Sequence, residues 1–219
     1  MINCENGAFN PYGHRIKDFH KLGTVPFTTC FAESSNIATI KVAALLGPER
    51  LESWVKRFGF GQPTSPDLPK ESWGIVHSRK SWSKLTMGAI PIGQEISVTM
   101  PQLARAFCAI ANGGFLVETY LVESASDRDG NVIYRHAAKG AERVMSDQTA
   151  STMRDLCHQV VLHGTGKPAD IPEYRVCGKT GTAQIARPKE LGGGFYPDKY
   201  TTIFAGSRPA PSMLRTSVR

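Results

Sequence analysis

Long apolar runs are missing from these 219 residues. Nothing approaches the roughly 18–20 consecutive apolar residues that a membrane-spanning helix needs. The opening MINCENGAFN has no basic stretch followed by an apolar one, so the chain as it stands is expected neither to span a membrane nor to be exported on a leader of its own. Repeats and low-complexity tracts are absent too, and with 41% hydrophobic and 21% charged residues the composition is that of one ordinary globular domain rather than a disordered chain. Basic clustering is scarce. The net charge is +7, and three arginines of the last thirteen residues account for part of it, leaving 7 − 3 = +4 for the body. The remaining basic residues are scattered without interleaved aromatics, so no nucleic-acid partner is expected. Metal-ligand spacing is missing as well. Cys4, Cys30, Cys108, Cys157 and Cys177 form no CxxC or Cys/His pattern, and His77, His136, His158 and His163 show none. Neither a disulfide framework, a zinc site nor a cofactor is implied, and the cysteines read as small buried hydrophobes with free thiols.

What is present reads as helices followed by strands. SSNIATIKVAALL (34–46) places Ile37, Ile40, Ala44 and Leu45 on one helical face before Gly47-Pro48 stops it. Leu51, Val55 and Phe58 continue in a short second helix ended by Gly59. Residues 59–98 form a long Gly-, Pro- and Ser-containing connection whose Trp73 and Trp82, like Trp54 before them, read as packing residues. Thr99-Met-Pro-Gln102 has the spacing of a capping box before a stripe of Leu103, Phe107 and Ile110. Phe115–Glu123 and Asn131–Arg135 read as two strands joined around Asp129-Gly130. Ser146 can cap a further helix carrying Ala150, Met153, Leu156 and Val160. Tyr174–Ile185 and Lys199–Gly206 read as an antiparallel pair across Gly192–Gly194. This order implies an α+β layered domain.

The residues that could do chemistry lie in two places. Gly178-Lys179-Thr180-Gly181-Thr182 sits inside a strand, where glycine weakens the element unless something approaches the backbone closely. Lysine brings positive charge, threonines bring hydroxyl donors, and a strand edge can pair with an extended peptide, so the segment suits a peptide-carboxylate clamp. A glycine-bent edge strand would carry the same residues. Ser34-Ser35-Asn36 opens a helix, Asn36 lying 143 residues upstream of Lys179, and simple N-capping would also explain it. Their joint occurrence in this order narrows the choice.

Ser34-x-Asn36 followed by Lys179-Thr180-Gly181 resembles the second and third motifs of the penicillin-binding transpeptidases and serine β-lactamases. GQEISVTMPQLARAFCAIANGG (93–114), VVLHGTGKPADIPEYRVCGKTGTAQ (160–184) and LESWVKRFGFG (51–61) resemble the transpeptidase domain of class B penicillin-binding proteins. The similarity runs from about Cys4 to Gly206. It implies the α+β fold of the serine β-lactamases and transpeptidases, an antiparallel sheet packed against helices. It also implies a serine acyl-enzyme that cross-links D-Ala-D-Ala stem peptides of peptidoglycan and is blocked by β-lactams. The family context would be a membrane-anchored protein whose catalytic domain is extracytoplasmic and which works with a cell-wall synthesis or division complex. By resemblance Ser34 relays protons near the leaving amine, Asn36 hydrogen-bonds the substrate amide and Lys179 supplies positive field. Thr180, Gly181 and Thr182 form the carboxylate-binding strand, with the Thr182 N–H as half of an oxyanion hole. Gly164-Thr165-Gly166 resembles a family loop after the third helix.

The pattern is incomplete within these residues. The family's Ser-x-x-Lys nucleophile motif precedes Ser-x-Asn, and residues 1–33 contain none. Ser53-Trp-Val-Lys56 and Ser81-Trp-Ser-Lys84 match the spacing in the wrong place. The expectation is residues 1–206 as a partial transpeptidase domain, incomplete at both ends and inactive alone, with 207–219 an off-pattern basic tail of a truncated or shifted reading frame. A serine β-lactamase-like hydrolase, or a non-catalytic remnant that binds D-Ala-D-Ala-type peptides, are the other readings.

Overall fold

The structure, a computed structural model, describes residues 1–65, 67, 70–137 and 140–208. Four two-residue strands open the chain: β1 (Ile2–Asn3), β2 (Ala8–Phe9), β3 (Ile16–Lys17) and β4 (Thr24–Val25). β1 pairs with β4 and β2 with β3, both antiparallel. Helices α1 (Phe27–Ala32), α2 (Asn36–Leu46) and α3 (Pro48–Arg57) follow. The long connection is not irregular throughout. It contributes β5 (Ile75–Val76), the short helix α4 (Thr86–Ala89) and β6 (Ile96–Ser97), and β5 pairs with β6. Helix α5 (Met100–Ala111), strands β7 (Phe115–Leu116), β8 (Ser124–Ser126), β9 (Val132–Arg135) and β10 (Glu142–Arg143), and helix α6 (Asp147–His163) lead to the long antiparallel hairpin of β11 (Cys177–Ala186) and β12 (Phe195–Ser207). The result is mixed α+β, as the sequence implies. Of the expected basic tail, Ser207 still belongs to β12 opposite Cys177, Arg208 lays its guanidinium 4.3 Å from the Tyr174 ring centroid, and 209–219 lie outside the described residues.

Local chemistry sets the long helices. Thr99 accepts from the Gln102 backbone while the Gln102 side chain accepts from the Thr99 N–H, the reciprocal bonds of a capping box at the start of α5. Ser146 accepts from Thr149 N at 3.1 Å and starts α6. α2 ends at Gly47 with φ +82°, and Pro48 occupies the first turn of α3, where its missing N–H costs nothing.

Three readings need correction. The buried face of α2 carries Ile37, Ala38, Ile40 and Ala43, whereas Leu45 is 87% exposed and Ala44 is exposed. An apolar sequence helix fixes its inward face by what packs on it, and here that is β3 and the segment at Ile90–Ile92, which join Ile16 and Ile92 to Ile37 and Ile40. In α5 the fully covered positions are Gln102, Ala106 and Ala109, with Leu103, Phe107 and Ile110 only half-buried. Phe115–Glu123 is not one strand. Only Phe115–Leu116 is extended, and it pairs with Glu142–Arg143, while the Asp129-Gly130 turn joins Ser124–Ser126 to Val132–Arg135. A 26-residue separation between Leu116 and Glu142 leaves no local mark in the sequence.

Three apolar clusters hold this together. Ala109, Leu116, Val144, Met145 and Ala150 join α5 to α6, Ile16, Ile37 and Ile40 seat α2 on β3, and Cys4, Cys30 and Ala38 tie β1 and β4 to α1 and α2. α6 then lies against both α1 and β11, with His158 Nδ1 2.9 Å from the Val176 carbonyl. These contacts bring the end of α1, the end of α6 and β11 to one place.

Candidate active site

Ser34 lies between two helices, and the backbone explains its posture. After α1, the Ser34 N–H donates to Phe31 O at 3.2 Å and the Ser35 N–H donates to Cys30 O at 2.9 Å. That is the double bond pattern of a Schellman helix end, in which the residue at the Ser34 position must be left-handed. Ser34 has φ +56°, a conformation glycine adopts freely and serine does not. The next residue begins α2. Ser35, 2% exposed, accepts from Ala38 N at 3.0 Å and donates its hydroxyl to Asp18 Oδ2 at 2.6 Å. Asp18 Oδ1 also accepts from Ile37 N at 3.1 Å. A carboxylate at the positive end of α2 is favourable in its own right. Ser35, not Ser34 or Asn36, is therefore the cap, and the Ser34 hydroxyl is left to point elsewhere.

It points at β11. Lys179 Nζ donates to Ser34 Oγ, although 145 residues separate them in sequence. Nζ also donates to the Thr180 carbonyl at 3.0 Å and stands 5.9 Å from the Phe31 ring centroid. Burial holds the Lys179 pKa below the ordinary lysine value. The nearby Cys157 thiol is itself pushed up to about 11 by burial, so near neutrality it is uncharged and supplies no counter-charge.

A third element completes the cluster. Thr165 Oγ1 lies 3.3 Å from Ser34 Oγ and 2.5 Å from Thr180 Oγ1, so Lys179, Ser34, Thr165 and Thr180 form one chain of polar groups. Thr165 reaches this position because α6 ends hard against α1. A Cβ on Gly164 would stand 2.0 Å from Ala32 O, and the Thr165 N–H donates to that same carbonyl at 3.2 Å. Only glycine allows that approach.

The sequence-derived residues are thus unequally engaged. Ser34, Lys179 and Thr180 converge. Asn36 is not bonded to them: its side-chain Nδ2 donates to Lys17 O at 3.0 Å. Gly181 and Thr182 lie opposite Ile203 and Thr202 in the hairpin, and Thr182 is exposed. Glycine in this strand makes room for β12 side chains: a Cβ on Gly178 would meet Phe204 Cζ at 2.2 Å, and one on Gly181 would meet Ile203 Cγ2 at 2.9 Å. Among the described residues β11 pairs only with β12. The decoys are elsewhere. Lys56 pairs with Glu52 at 2.9 Å, and the Ser81 hydroxyl donates to Ser78 O at 2.8 Å. Sequence reasoning passed over Asp18, read Ser35 only within the capping triplet Ser34-Ser35-Asn36, and read Thr165 only as part of a loop resembling the family's. Ser35 had the capping signal and Thr165 its flanking glycines, whereas Asp18 had none.

A family profile described as the penicillin binding protein transpeptidase domain matches residues 2–213. The chain belongs to this family. Among curated relatives, penicillin-binding protein PbpB of Mycolicibacterium smegmatis is 36% identical over 213 residues, 93% of this chain and 32% of the relative. Peptidoglycan D,D-transpeptidase FtsI of Escherichia coli K12 is 31% identical over 212 residues, 94% of this chain and 34% of the relative. This transpeptidase-family chain therefore spans about a third of the length of these relatives. In three dimensions it resembles penicillin binding protein 3 of Mycobacterium tuberculosis complexed with ampicillin, with TM-score 0.85 and 35% identity over 92% of this chain and 46% of that one. The transpeptidase domain of Burkholderia pseudomallei penicillin-binding protein 3 gives TM-score 0.81 and 30% identity over 96% and 60%. No helix among the described residues is long and apolar enough to cross a membrane.

Proposed function

We propose that this chain carries part of the substrate groove of a peptidoglycan D,D-transpeptidase, a serine acyltransferase that binds D-Ala-D-Ala stem peptides and β-lactams. The observation that carries the reading is the Lys179–Ser34 hydrogen bond, extended through Thr165 to Thr180. In this reading Lys179, neutral more readily than an ordinary lysine, accepts or returns a proton through Ser34 as the amine leaves. Thr180 and Thr182 hydroxyls receive the terminal carboxylate, and the edge of β11 away from β12 aligns the peptide as an added strand. Asn36 hydrogen-bonds the substrate amide. The Thr182 N–H supplies one oxyanion donor, a contact whose loss typically costs about 2.7–4 kcal/mol in the transition state. The nucleophilic serine and the second donor belong to a Ser-x-x-Lys segment that these 219 residues do not contain upstream of Ser34. A whole protein with it would be expected at the extracytoplasmic face of the membrane, within a cell-wall synthesis or division complex.

The chain alone is then a groove without an attacking group. Incubated with ampicillin, it should show weak, reversible binding that Lys179→Ala abolishes, and intact-mass spectrometry should find no stable penicilloyl adduct. An adduct mapped to Ser53 or Ser81, or binding indifferent to Lys179→Ala, would overturn the assignment.

A further inference from the structure

Beneath the turn that carries Ser34 lies a pair of thiols that the proposed chemistry does not use. Cys4, just after β1, and Cys30, in α1, are 0% and 1% exposed, and their sulfurs stand 3.6 Å apart across 26 residues of sequence. Bond formation between them requires an approach of only about 1.5 Å. Both sit in one apolar cluster with Ala38, bordered by Ile2, Leu22 and Val25, and the Cys4 N–H is fixed to Gly23 O at 2.9 Å. Cys108, Cys157 and Cys177 lie on α5, α6 and β11, away from this cluster.

We propose that Cys4 and Cys30 form a disulfide that fastens the N-terminal strand to α1. The placement matters for the site, because the Cys30 carbonyl is the acceptor for Ser35 N–H, and Ser35 Oγ lies 3.5 Å from Cys4 Sγ. A cross-link at Cys30 therefore clamps the left-handed turn that presents Ser34. The oxidant is a small disulfide such as oxidised glutathione. One protein thiolate displaces a glutathione thiolate to give a mixed disulfide, and the second protein thiolate displaces the other. Two protein thiols and one small disulfide thus yield the cross-link and two small thiols, with the two thiol protons passing to the departing thiolates. In the folded chain the reaction is slow, since neither sulfur is accessible and burial and the neighbouring Cys4 push the Cys30 thiol up to about 11. During folding, before the cluster closes, it is fast.

The test is independent of the transpeptidase reading. The full chain is refolded in mixed oxidised and reduced glutathione, its remaining thiols are alkylated under denaturing conditions, and it is digested with trypsin. The expected result is a chain two hydrogens lighter than the reduced one before alkylation and carrying three alkyl groups after it, on Cys108, Cys157 and Cys177, with fragment 1–15 joined to fragment 22–41. The oxidised form should melt about 5–10 °C above the reduced one, a gain that Cys30→Ser removes. Alkylation of both Cys4 and Cys30, or a bridge from either to another cysteine, overturns the proposal. Because the mapping uses the unaltered chain, the outcome does not depend on whether the variant folds.

Discussion

The helical body and the β11–β12 hairpin meet at the same site but are built on different principles. In α2 and α6 the inward positions are completely covered: Ile37, Ile40, Val160 and Val161 are at most 1% exposed. In the hairpin only Cys177 and Gly178 of β11 are buried, no residue of β12 is, and Phe195, Tyr200 and Phe204 of β12 are more than 40% exposed. The body owes its shape to apolar burial, the hairpin to its backbone ladder and to close contact between β12 side chains and β11 glycines. Ser34 and Thr165 are held by the first region, Lys179 and Thr180 by the second. The cluster therefore depends on how firmly α6 and β11 stay docked.

The largest expected effect breaks the comparison open by truncating one side chain in each region. Ile37→Ala removes a fully buried side chain and should cost about 3 kcal/mol. Phe204→Ala, at a position 42% exposed, should cost about 1 kcal/mol. Urea midpoints measured on both variants check the ranking, and equal losses would mean that the hairpin is as much a part of the core as α2.

A smaller effect sharpens the role of the turn. Ser34→Gly relieves the left-handed strain and should raise stability by about 0.5 kcal/mol, while removing the hydroxyl that Lys179 and Thr165 share. A loss of stability in thermal melts would mean that this polar chain outweighs the backbone strain.

The smallest effect concerns charge. Lys179 is charged in both states below its lowered folded-state pKa, and burial penalises the folded one. As pH rises through that value toward the unfolded lysine near 10.5, the folded chain holds fewer protons than the unfolded one and the penalty fades. Lys179→Met should therefore be slightly more stable than the parent at neutral pH and lose that advantage by pH 10.5. A difference that does not change with pH would contradict desolvation as the cause.

Much of this was legible before folding, and for a local reason. The capping box at Thr99 and Gln102, the Ser146 cap and the Gly47-Pro48 stop involve residues within a few positions of each other, so their chemistry is written in the chain. The two motifs gave Ser34, Lys179 and Thr180. Asp18 was invisible because its partners, Ser35 and Ile37, are reached only after β3 and α2 pack. The division of Phe115–Glu123 was invisible because β7 finds its partner 26 positions away.

Residues near one another in the chain were enough to fix helices α2, α3, α5 and α6, the β11–β12 hairpin and the family, since capping, periodicity and two spaced motifs act over short distances or as fixed words. Which serine caps α2 and which faces the lysine was settled by packing alone. It alone made Thr165 a bridge, and it alone set Cys4 beside Cys30. Those outcomes depend on the separation of atoms far apart along the chain, and that separation is set by which apolar faces close on each other, a choice no single segment encodes.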